Sequence, residues 1–315
     1  MRPMLFGMVL GIGGLGNGWR VAARLWGAPA FIGETLAIAA AVIWLGLAIA
    51  YVRLWLTDPE AALADVMHPA QGMLASLIPV STLIASLALA PHLPNLAWLM
   101  FLAGLAGVLG FAVWGIGALW QGGRVVEDTT PVLYMPTVGG SLVAALAAGS
   151  FGQADTGWLF FGLGLLSFLA MEPVIIKRLL LTTLPPGQRA TLGVHMAPAA
   201  VASVALMALT DQPGSTPLAL MLFGYGCFQA LVLLRLAPWL REQPFGQAAW
   251  AYTFGISALP LAALRLVERG AGAPVTALAP LLFLAANLII GWIALRTLWA
   301  LMARLGTFRG PAPGR

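Results

Sequence analysis

The chain has 315 residues, of which 60% are hydrophobic and only 9% are charged, whereas soluble domains carry about 25% charged residues. A chain this apolar exposes too much hydrophobic surface to be a soluble monomer, so the composition predicts an integral membrane protein. The net charge of +5 comes from basic residues scattered singly between apolar runs, which is typical of membrane flanks and argues against nucleic-acid binding. The single cysteine, Cys227, excludes an intrachain disulfide and a cysteine metal cluster.

Ten charge-poor runs are long enough to cross a bilayer, for which a helix needs about 20 apolar residues. They predict a single all-α transmembrane domain over residues 1–315, with spans at 3–24, 32–55, 68–90, 94–120, 130–152, 156–178, 190–210, 216–240, 246–267 and 274–303. The division of 68–120 into two spans depends on the turn residues near Pro91 and Pro94. The alternative is one span followed by a re-entrant piece.

The distribution of Lys and Arg predicts the orientation. With ten spans, twelve basic residues fall on one side of the membrane and four fall on the other, namely Arg20, Arg24, Arg265 and Arg269. We therefore expect a multi-pass protein of the cell inner (cytoplasmic) membrane with both termini in the cytoplasm. The first apolar run is interpreted as the first span and not as a cleaved signal peptide.

Prolines recur inside four odd-numbered predicted spans, at separations of 57, 62 and 62 residues from Pro79 to Pro260. The odd spans are rich in small residues and the even spans in Leu and Trp, which predicts five tandem helical hairpins. We expect the odd helices to form an inner pore ring and the even helices an outer ring; the alternative is that the prolines only serve packing. The predicted pore-lining residues are Gly14, Pro79, Thr82, Pro136, Gly140, Pro198, Gly255, Ser257 and Pro260.

The segment "GIGGLG", Gly11 to Gly16, matches the dinucleotide-binding fingerprint letter for letter, but it lies inside the first span without a preceding strand. Close helix packing or pore lining explains these glycines better. No cofactor and no metal site is predicted, because the three histidines have no ligand spacing. No nucleophile and base pair is recognisable either, so an intramembrane enzyme is not expected.

Ionisable residues inside predicted spans are functional candidates by default. His195 in the seventh span is such a candidate, but it lies close enough to Arg189 to be an interfacial residue instead. A further group near the ends of even spans is expected to form structural ion pairs or to snorkel, namely Glu172, Lys177, Arg178 and Arg235.

Seven segments of the sequence together resemble the TehA family of tellurite-resistance and dicarboxylate transporters, which includes fungal malate permeases and plant guard-cell slow anion channels. They are "RPMLFGMVLGIGGLG", "HPAQGMLASLIPVSTL", "LYMPTVGG", "MEPVIIKRL", "RATLGVHMAP", "LFGYGCFQALVLLRLAPW" and "WAYTFGISALP". The resemblance covers roughly residues 3 to 300. It implies a homotrimer of ten-helix protomers, each with its own pore lined by five inner helices. It also implies that an aromatic residue in the ninth helix, Phe254 here, plugs that pore.

The residues around Phe254 favour the same role. Its large ring lies among Thr253, Gly255 and Ser257, six residues before Pro260, where no aliphatic packing demands it. Glycine beside it leaves room for the ring to shift. We therefore predict that Phe254 is the gate; the alternative is a phenylalanine packed between helices.

The odd spans carry no Lys or Arg at mid-depth and no Asp or Glu of the kind that proton-coupled carriers use. This favours a weakly selective channel for small anions, in which binding is weak enough to let ions leave. The alternative is a secondary carrier for C4-dicarboxylates or an efflux protein for tellurite or other oxyanions.

Arg20, Arg24, Arg265 and Arg269 are predicted to form an outer vestibule, because the first and ninth spans become neighbours when five odd helices close a ring. Unpaired, these arginines would concentrate anions at the mouth. The acidic residues Glu34 and Glu268 would neutralise part of that charge, and snorkelling to lipid headgroups is the alternative role.

Overall fold

A computed structural model describes residues 3–69 and 71–307, and over those residues all regular secondary structure is helical. The α-helices are α1 (Gly7–Trp26), α2 (Ala30–Thr57), α3 (Pro59–Met67), α4 (Leu77–Leu89), α5 (Pro94–Trp120), α6 (Gly140–Ser150), α7 (Ala154–Leu181), α8 (Leu192–His195), α9 (Ala197–Leu209), α10 (Thr216–Leu240), α11 (Thr253–Glu268) and α12 (Ala273–Thr307).

Nine helical stretches of the described chain are long and apolar enough to cross a membrane. They coincide with nine of the predicted spans, and residues 68–120 contribute two of them, Gly72–Leu89 and Pro94–Trp120. The remaining predicted span, 3–24, corresponds to α1, which has 20 residues. It is less apolar than the others because it is rich in glycine and carries Arg20 and Arg24. The protein is thus an all-helical, multi-pass membrane protein.

Buried and exposed helices alternate along the chain. The stretches that contain α4, α6, α9 and α11 are between 72% and 94% buried, whereas α2, α5, α7, α10 and α12 are between 22% and 33% buried. Most of α1 is buried as well. The exposed helices present large aliphatic side chains such as Leu159, Leu231 and Leu295. A surface of this kind suits lipid and would be costly in water.

The five buried helices contact one another in a closed cycle. In that cycle α1 contacts α4, α4 contacts α6, α6 contacts α9, α9 contacts α11, and α11 returns to α1. Each buried helix also contacts the exposed helix that follows it in the chain, from α1 with α2 to α11 with α12.

An irregular helical segment precedes each buried α-helix. Four of these are the 3₁₀ segments Pro3–Phe6, Gly72–Ser76, Pro186–Thr191 and Gln247–Tyr252, and the fifth combines Pro131–Leu133 with a π-helical turn at Met135–Gly139. These segments lie at one end of the molecule. We call this end the terminal face, because it contains Pro3, the first residue that the structure describes. Three of the periodic prolines, Pro79, Pro136 and Pro198, lie at these junctions, where a missing backbone N–H costs least.

Candidate functional site: a line of cavities through the buried helices

Phe254 is the second residue of α11, which directly follows the irregular segment Gln247–Tyr252. Its side chain is buried, with 8% of its surface exposed. It lines two cavities, and Leu10 of α1 is the other residue common to both. Phe254 and Leu10 therefore form the partition between two cavities that lie inside the cycle of buried helices.

The first cavity, here the terminal-face cavity, has a volume of about 50 Å³. All five irregular segments contribute to its wall, for example through Met4, Leu74, Val132 and Ala190. Its surface is mostly apolar, and its polar side chains are Gln71, Thr130, Gln188, Thr191 and Gln247. The buried hydroxyl of Thr130 has no hydrogen-bond partner.

The second cavity, here the central cavity, is smaller, at about 20 Å³. Every one of the five buried helices contributes to it, and Asn17 and Ser257 are its polar side chains. The Ser257 hydroxyl is already engaged, since it donates to the carbonyl oxygen of Phe254 at 3.0 Å. The central cavity therefore offers few groups that would replace the water around an ion.

The third cavity, of about 200 Å³, lies at the opposite end of the buried helices and is lined by Arg20, Arg24 and Arg265. We call this end the arginine face. Asn17, Leu146, Val204 and Leu261 line both this cavity and the central one, so the two adjoin. Three cavities thus follow one another from the terminal face to the arginine face, with Phe254 between the first two.

Acidic partners hold the arginines of this face. Arg20 donates from Nε and Nη2 to the two carboxylate oxygens of Glu34, at 2.8 Å and 2.7 Å. Arg24 Nε lies 2.9 Å from one oxygen of Glu268, and Arg265 Nη1 lies 3.1 Å from the other. Three arginines and two glutamates leave a net charge of +1 at this cavity (+3 − 2), so most of the predicted excess charge is neutralised.

Arg269, the fourth predicted vestibule residue, does not line this cavity. Its Nη2 donates to the carbonyl oxygen of Thr210 at 2.7 Å and to that of Met207, and it lies 2.9 Å from Asp211 Oδ1. These contacts satisfy carbonyl groups at the end of α9, where a helix leaves its last acceptors unpaired.

Two of the nine predicted pore-lining residues, Gly14 and Ser257, line the central cavity. The other seven do not line any of the three cavities. Pro79 and Thr82 instead line a lateral groove beside Tyr51 of α2, and the Thr82 hydroxyl accepts a hydrogen bond from Trp44 Nε1 at 3.0 Å. The remaining five are buried, namely Pro136, Gly140, Pro198, Gly255 and Pro260.

Close packing explains several of the small residues. A Cβ built on Gly140 would stand 3.1 Å from the Val108 side chain of α5, and one on Gly255 would stand 2.8 Å from Met196 Cε. In the "GIGGLG" segment, a Cβ on Gly11 would stand 2.2 Å from Thr253 Oγ1. Gly140 and Gly255, which the sequence predicts to line the pore, thus pack against neighbouring side chains, and α1 and α11 meet at Gly11 at very close range.

A buried polar cluster lies beside the terminal-face cavity and was not expected as a cluster. The Glu172 carboxylate of α7 accepts hydrogen bonds from the hydroxyls of Tyr134 and Tyr225, and His195 Nε2 lies 3.4 Å from it. Glu172, which the sequence predicts to form a structural ion pair or to snorkel, has His195 as its basic neighbour. Arg178 donates to the carbonyl oxygens of Val126 and Thr182 instead.

Sequence reasoning did not find two residues that the geometry places at the partition and the central cavity. Leu10 shares the partition with Phe254, and Asn17 joins the central and arginine-face cavities. A leucine in an apolar span cannot be distinguished from its neighbours by sequence. An asparagine in such a span is polar and could have been identified as a candidate functional residue. Over the described ranges, no three His, Cys, Asp or Glu side chains group as metal ligands would.

Comparison with known proteins supplies the context for this geometry. Residues 1–298 match the SLAC1 family, described as voltage-dependent anion channels. The chain is 30% identical over 297 residues to the tellurite resistance protein TehA homolog of Haemophilus influenzae, covering 94% of this chain and 89% of that protein. It is 26% identical over 317 residues to the S-type anion channel SLAH2 of Arabidopsis thaliana, covering 95% of this chain and 59% of the plant protein.

Proposed function

The chain belongs to the SLAC1 family of voltage-dependent anion channels, and from this premise we propose that it is a gated anion channel closed by Phe254. Family membership places it among channel and transport proteins and not among enzymes. The observation that carries the proposal is the position of the Phe254 ring between the terminal-face and central cavities.

In this proposal α1 also spans the membrane, which raises the number of spanning helices from nine to ten. The ten helices form five hairpins. The buried helices α1, α4, α6, α9 and α11 form the inner ring around a pore, and the exposed helices form the outer ring. The closed cycle of contacts among the buried helices and the alternation of burial support this arrangement. The revised pore lining is Leu10, Gly14, Asn17, Phe254 and Ser257 with their aliphatic neighbours, while three of the periodic prolines lie where the inner helices begin.

The gate works as a hydrophobic barrier. An anion that leaves the terminal-face cavity meets the Phe254 ring and the Leu10 side chain, neither of which can replace a water of hydration. Such a constriction excludes ions by excluding water. The pathway opens when the ring leaves the partition.

We further propose that each protomer of a homotrimer holds its own pore and that both termini lie in the cytoplasm. The trimer contacts would come from the exposed helices, which are the even-numbered predicted spans. The terminal face would then be cytoplasmic and the arginine face extracytoplasmic, in the cell inner membrane. Five inner helices per chain suffice to close a ring, which supports one pore per protomer. A structure with one shared pore on the symmetry axis would contradict this.

The experiment that tests the gate is single-channel recording in planar bilayers. Phe254→Ala is expected to raise anion conductance by about 10-fold or more, because it removes the hydrophobic barrier. Phe223→Leu, a change at a buried phenylalanine of α10, is the matched control and is expected to leave conductance unchanged. An unchanged conductance in folded Phe254→Ala protein would remove Phe254 as the gate.

A secondary carrier for C4-dicarboxylates or oxyanions, tellurite included, is the alternative function. The name of the Haemophilus influenzae relative, a tellurite resistance protein homolog, favours it. The same recordings distinguish the two, since discrete conductance steps indicate a channel and saturable flux without steps indicates a carrier.

A further inference from the structure

Thr130 has a buried hydroxyl that no described part of the chain satisfies. The residue comes directly before the segment Pro131–Leu133, is 1% exposed and lines the terminal-face cavity. Its carbonyl oxygen accepts the N–H of Leu133 at 3.0 Å, but its hydroxyl has no hydrogen-bond partner among the described residues. A buried hydroxyl without a partner is costly and uncommon in a folded protein. The Thr130 hydroxyl therefore indicates that a bound species occupies this cavity.

Gln188 supplies a second unsatisfied polar group in the same cavity. It belongs to the segment Pro186–Thr191, and its buried Oε1 has no partner over residues 3–69 and 71–307. A hydroxyl needs an acceptor, whereas an amide oxygen needs a donor. A partly hydrated anion meets both needs, because the anion accepts from Thr130 and a water bound to it donates to Gln188.

The rest of the cavity is neutral and small. None of the described side chains that line it is charged, so the carboxylates that cation sites commonly use do not contribute to its wall. The cavity volume is about 50 Å³, and one water needs about 10–15 Å³, so the cavity holds a few waters or one small anion. Dicarboxylates exceed this size and carry two charges that a neutral wall cannot compensate.

We propose that Thr130 and Gln188 form a binding site for one small monovalent anion, such as chloride or nitrate, and this proposal rests on the channel function proposed above. Phe254 lines the same cavity as both residues, so the bound anion lies on the terminal-face side of the gate. Gly187 and Gln247 also line the cavity and are exposed, which leaves the site open to solution. Neutral donors bind an anion weakly, as conduction requires.

Thr191 provides an internal comparison for Thr130. It lines the same cavity, but its hydroxyl donates to the carbonyl oxygen of Gln188 at 2.7 Å. A hydroxyl has one proton to donate, so Thr191 has no free donor for an anion and Thr130 has one. Valine has nearly the shape of threonine without the hydroxyl. Thr130→Val and Thr191→Val therefore separate the loss of the free donor from a general change of the cavity wall.

The first test measures chloride binding to the protein with Phe254 in place, so it does not depend on conduction. Chlorine-35 nuclear magnetic resonance of purified protein in lipid nanodiscs reports bound chloride as line broadening. Thr130→Val is expected to weaken chloride binding by about 10-fold, the loss of one hydrogen bond to a charged ligand. Thr191→Val is the matched control and is expected to bind chloride as the unmodified protein does. Chloride held elsewhere on the surface contributes equally to all three proteins.

Competition in the same experiment tests the class of anion. Nitrate is expected to displace the chloride that depends on Thr130, whereas malate is expected not to displace it. Three results would each overturn the proposal: equal chloride binding in Thr130→Val and unmodified protein, an equal loss in Thr191→Val, or displacement by malate as effective as that by nitrate.

The second test measures conductance against chloride concentration in a Phe254→Ala background. Adding Thr130→Val is expected to raise the half-saturating chloride concentration by about 10-fold, and the loss is expected to disappear at saturating chloride. An equal loss at every chloride concentration would assign a structural role to Thr130 and overturn the site.

The two tests together distinguish the site from the channel function. Chloride binding that depends on Thr130, in a protein whose Phe254→Ala variant does not conduct, would contradict the channel and leave the site. A conducting Phe254→Ala variant, in a protein whose chloride binding is indifferent to Thr130→Val, would contradict the site and leave the channel.

Discussion

Gly14 of α1 lies so close to Ser257 of α11 that a Cβ added to the glycine would stand 2.3 Å from the serine Oγ and 2.9 Å from its Cβ. The two helices therefore meet through a glycine on one side and a small hydroxyl residue on the other. This contact closes the cycle of buried helices beside the central cavity, and it cannot accept one more methyl group without movement of a backbone.

The first prediction follows from that contact. Gly14→Ala is expected to lower the stability of the protein by about 1–3 kcal/mol, because overpacking forces α1 away from α11. Thermal unfolding in detergent micelles measures the effect. Adding Ser257→Gly is expected to recover most of the loss, since it removes the atoms that the new methyl group meets.

The matched control for this prediction is Gly46→Ala in α2, where an added Cβ meets nothing within 4 Å. That change is expected to be neutral or to stabilise by up to about 1 kcal/mol, as alanine favours a helix over glycine. Equal losses at Gly14 and Gly46 would mean that the contact between α1 and α11 is not tight.

The second prediction concerns the charge at the arginine face. Glu268→Gln removes the carboxylate that holds Arg24 and Arg265 and raises the net charge there from +1 to +2. In a Phe254→Ala background, anion conductance is expected to rise by about twofold at low salt and to change little at high salt, because salt screens the field. Planar-bilayer recording at two salt concentrations measures this.

Glu60→Gln is the control for this charge change, since Glu60 is exposed in the first turn of α3, away from the arginine face. It removes the same charge and is expected to leave conductance unaltered. A rise that is equal at low and high salt would assign the effect of Glu268→Gln to a change of shape and not to electrostatics.

The third prediction concerns selectivity. The central cavity has Asn17 and Ser257 as its polar side chains, and the Ser257 hydroxyl is engaged with the backbone. A strongly hydrated anion would lose water there without replacement, and this cost grows with charge. Reversal potentials of the Phe254→Ala channel are expected to show a preference for chloride or nitrate over sulfate or malate of about 10-fold or more. Equal permeability to malate would favour the dicarboxylate alternative.

The fourth prediction separates two contacts of Arg269. Its guanidinium satisfies the carbonyl oxygens of Met207 and Thr210 and also meets Asp211, whose side chain is fully exposed. Arg269→Gln is expected to lower stability by roughly 1–3 kcal/mol, because it leaves acceptors at the end of α9 unpaired. Asp211→Asn is expected to have no measurable effect, since exposed ion pairs contribute little. Equal losses in the two variants would assign the stability to the ion pair.

The helical architecture was largely predictable from the sequence, because a membrane imposes a minimum apolar length on each span. Nine of the ten predicted spans are long and apolar enough in the structure. The glycine-rich α1 is long enough, with 20 residues, but is less apolar than the others. The prolines marked the right helices, but their backbone effect is felt at helix junctions such as Pro136 and Pro198. A proline in the sequence indicates where a helix starts or bends. It does not indicate which face of that helix lies toward the axis of the proposed pore.

The polar cluster could not be predicted in the same way. Glu172 is 38 residues from Tyr134 and 53 residues from Tyr225, and nothing in one sequence reports that three helices bring them together. Each residue alone had a simpler interpretation, as an ion-pair partner or as part of an apolar span. Pairing across helices depends on rotation about each helix axis, which span prediction leaves undetermined.

The contact between α1 and α11 also has a consequence for biosynthesis. The residues that meet there, such as Gly7 and Thr253, are 246 positions apart in the chain. At translation rates of roughly 5–20 residues per second, α11 emerges about 12–50 s after α1. Until α11 is made, the glycines of α1 lack the helix against which they pack in the complete chain. A nascent chain arrested before Gln247 is thus expected to accept a separately synthesised α11–α12 hairpin, which site-specific crosslinking between positions 11 and 253 would detect.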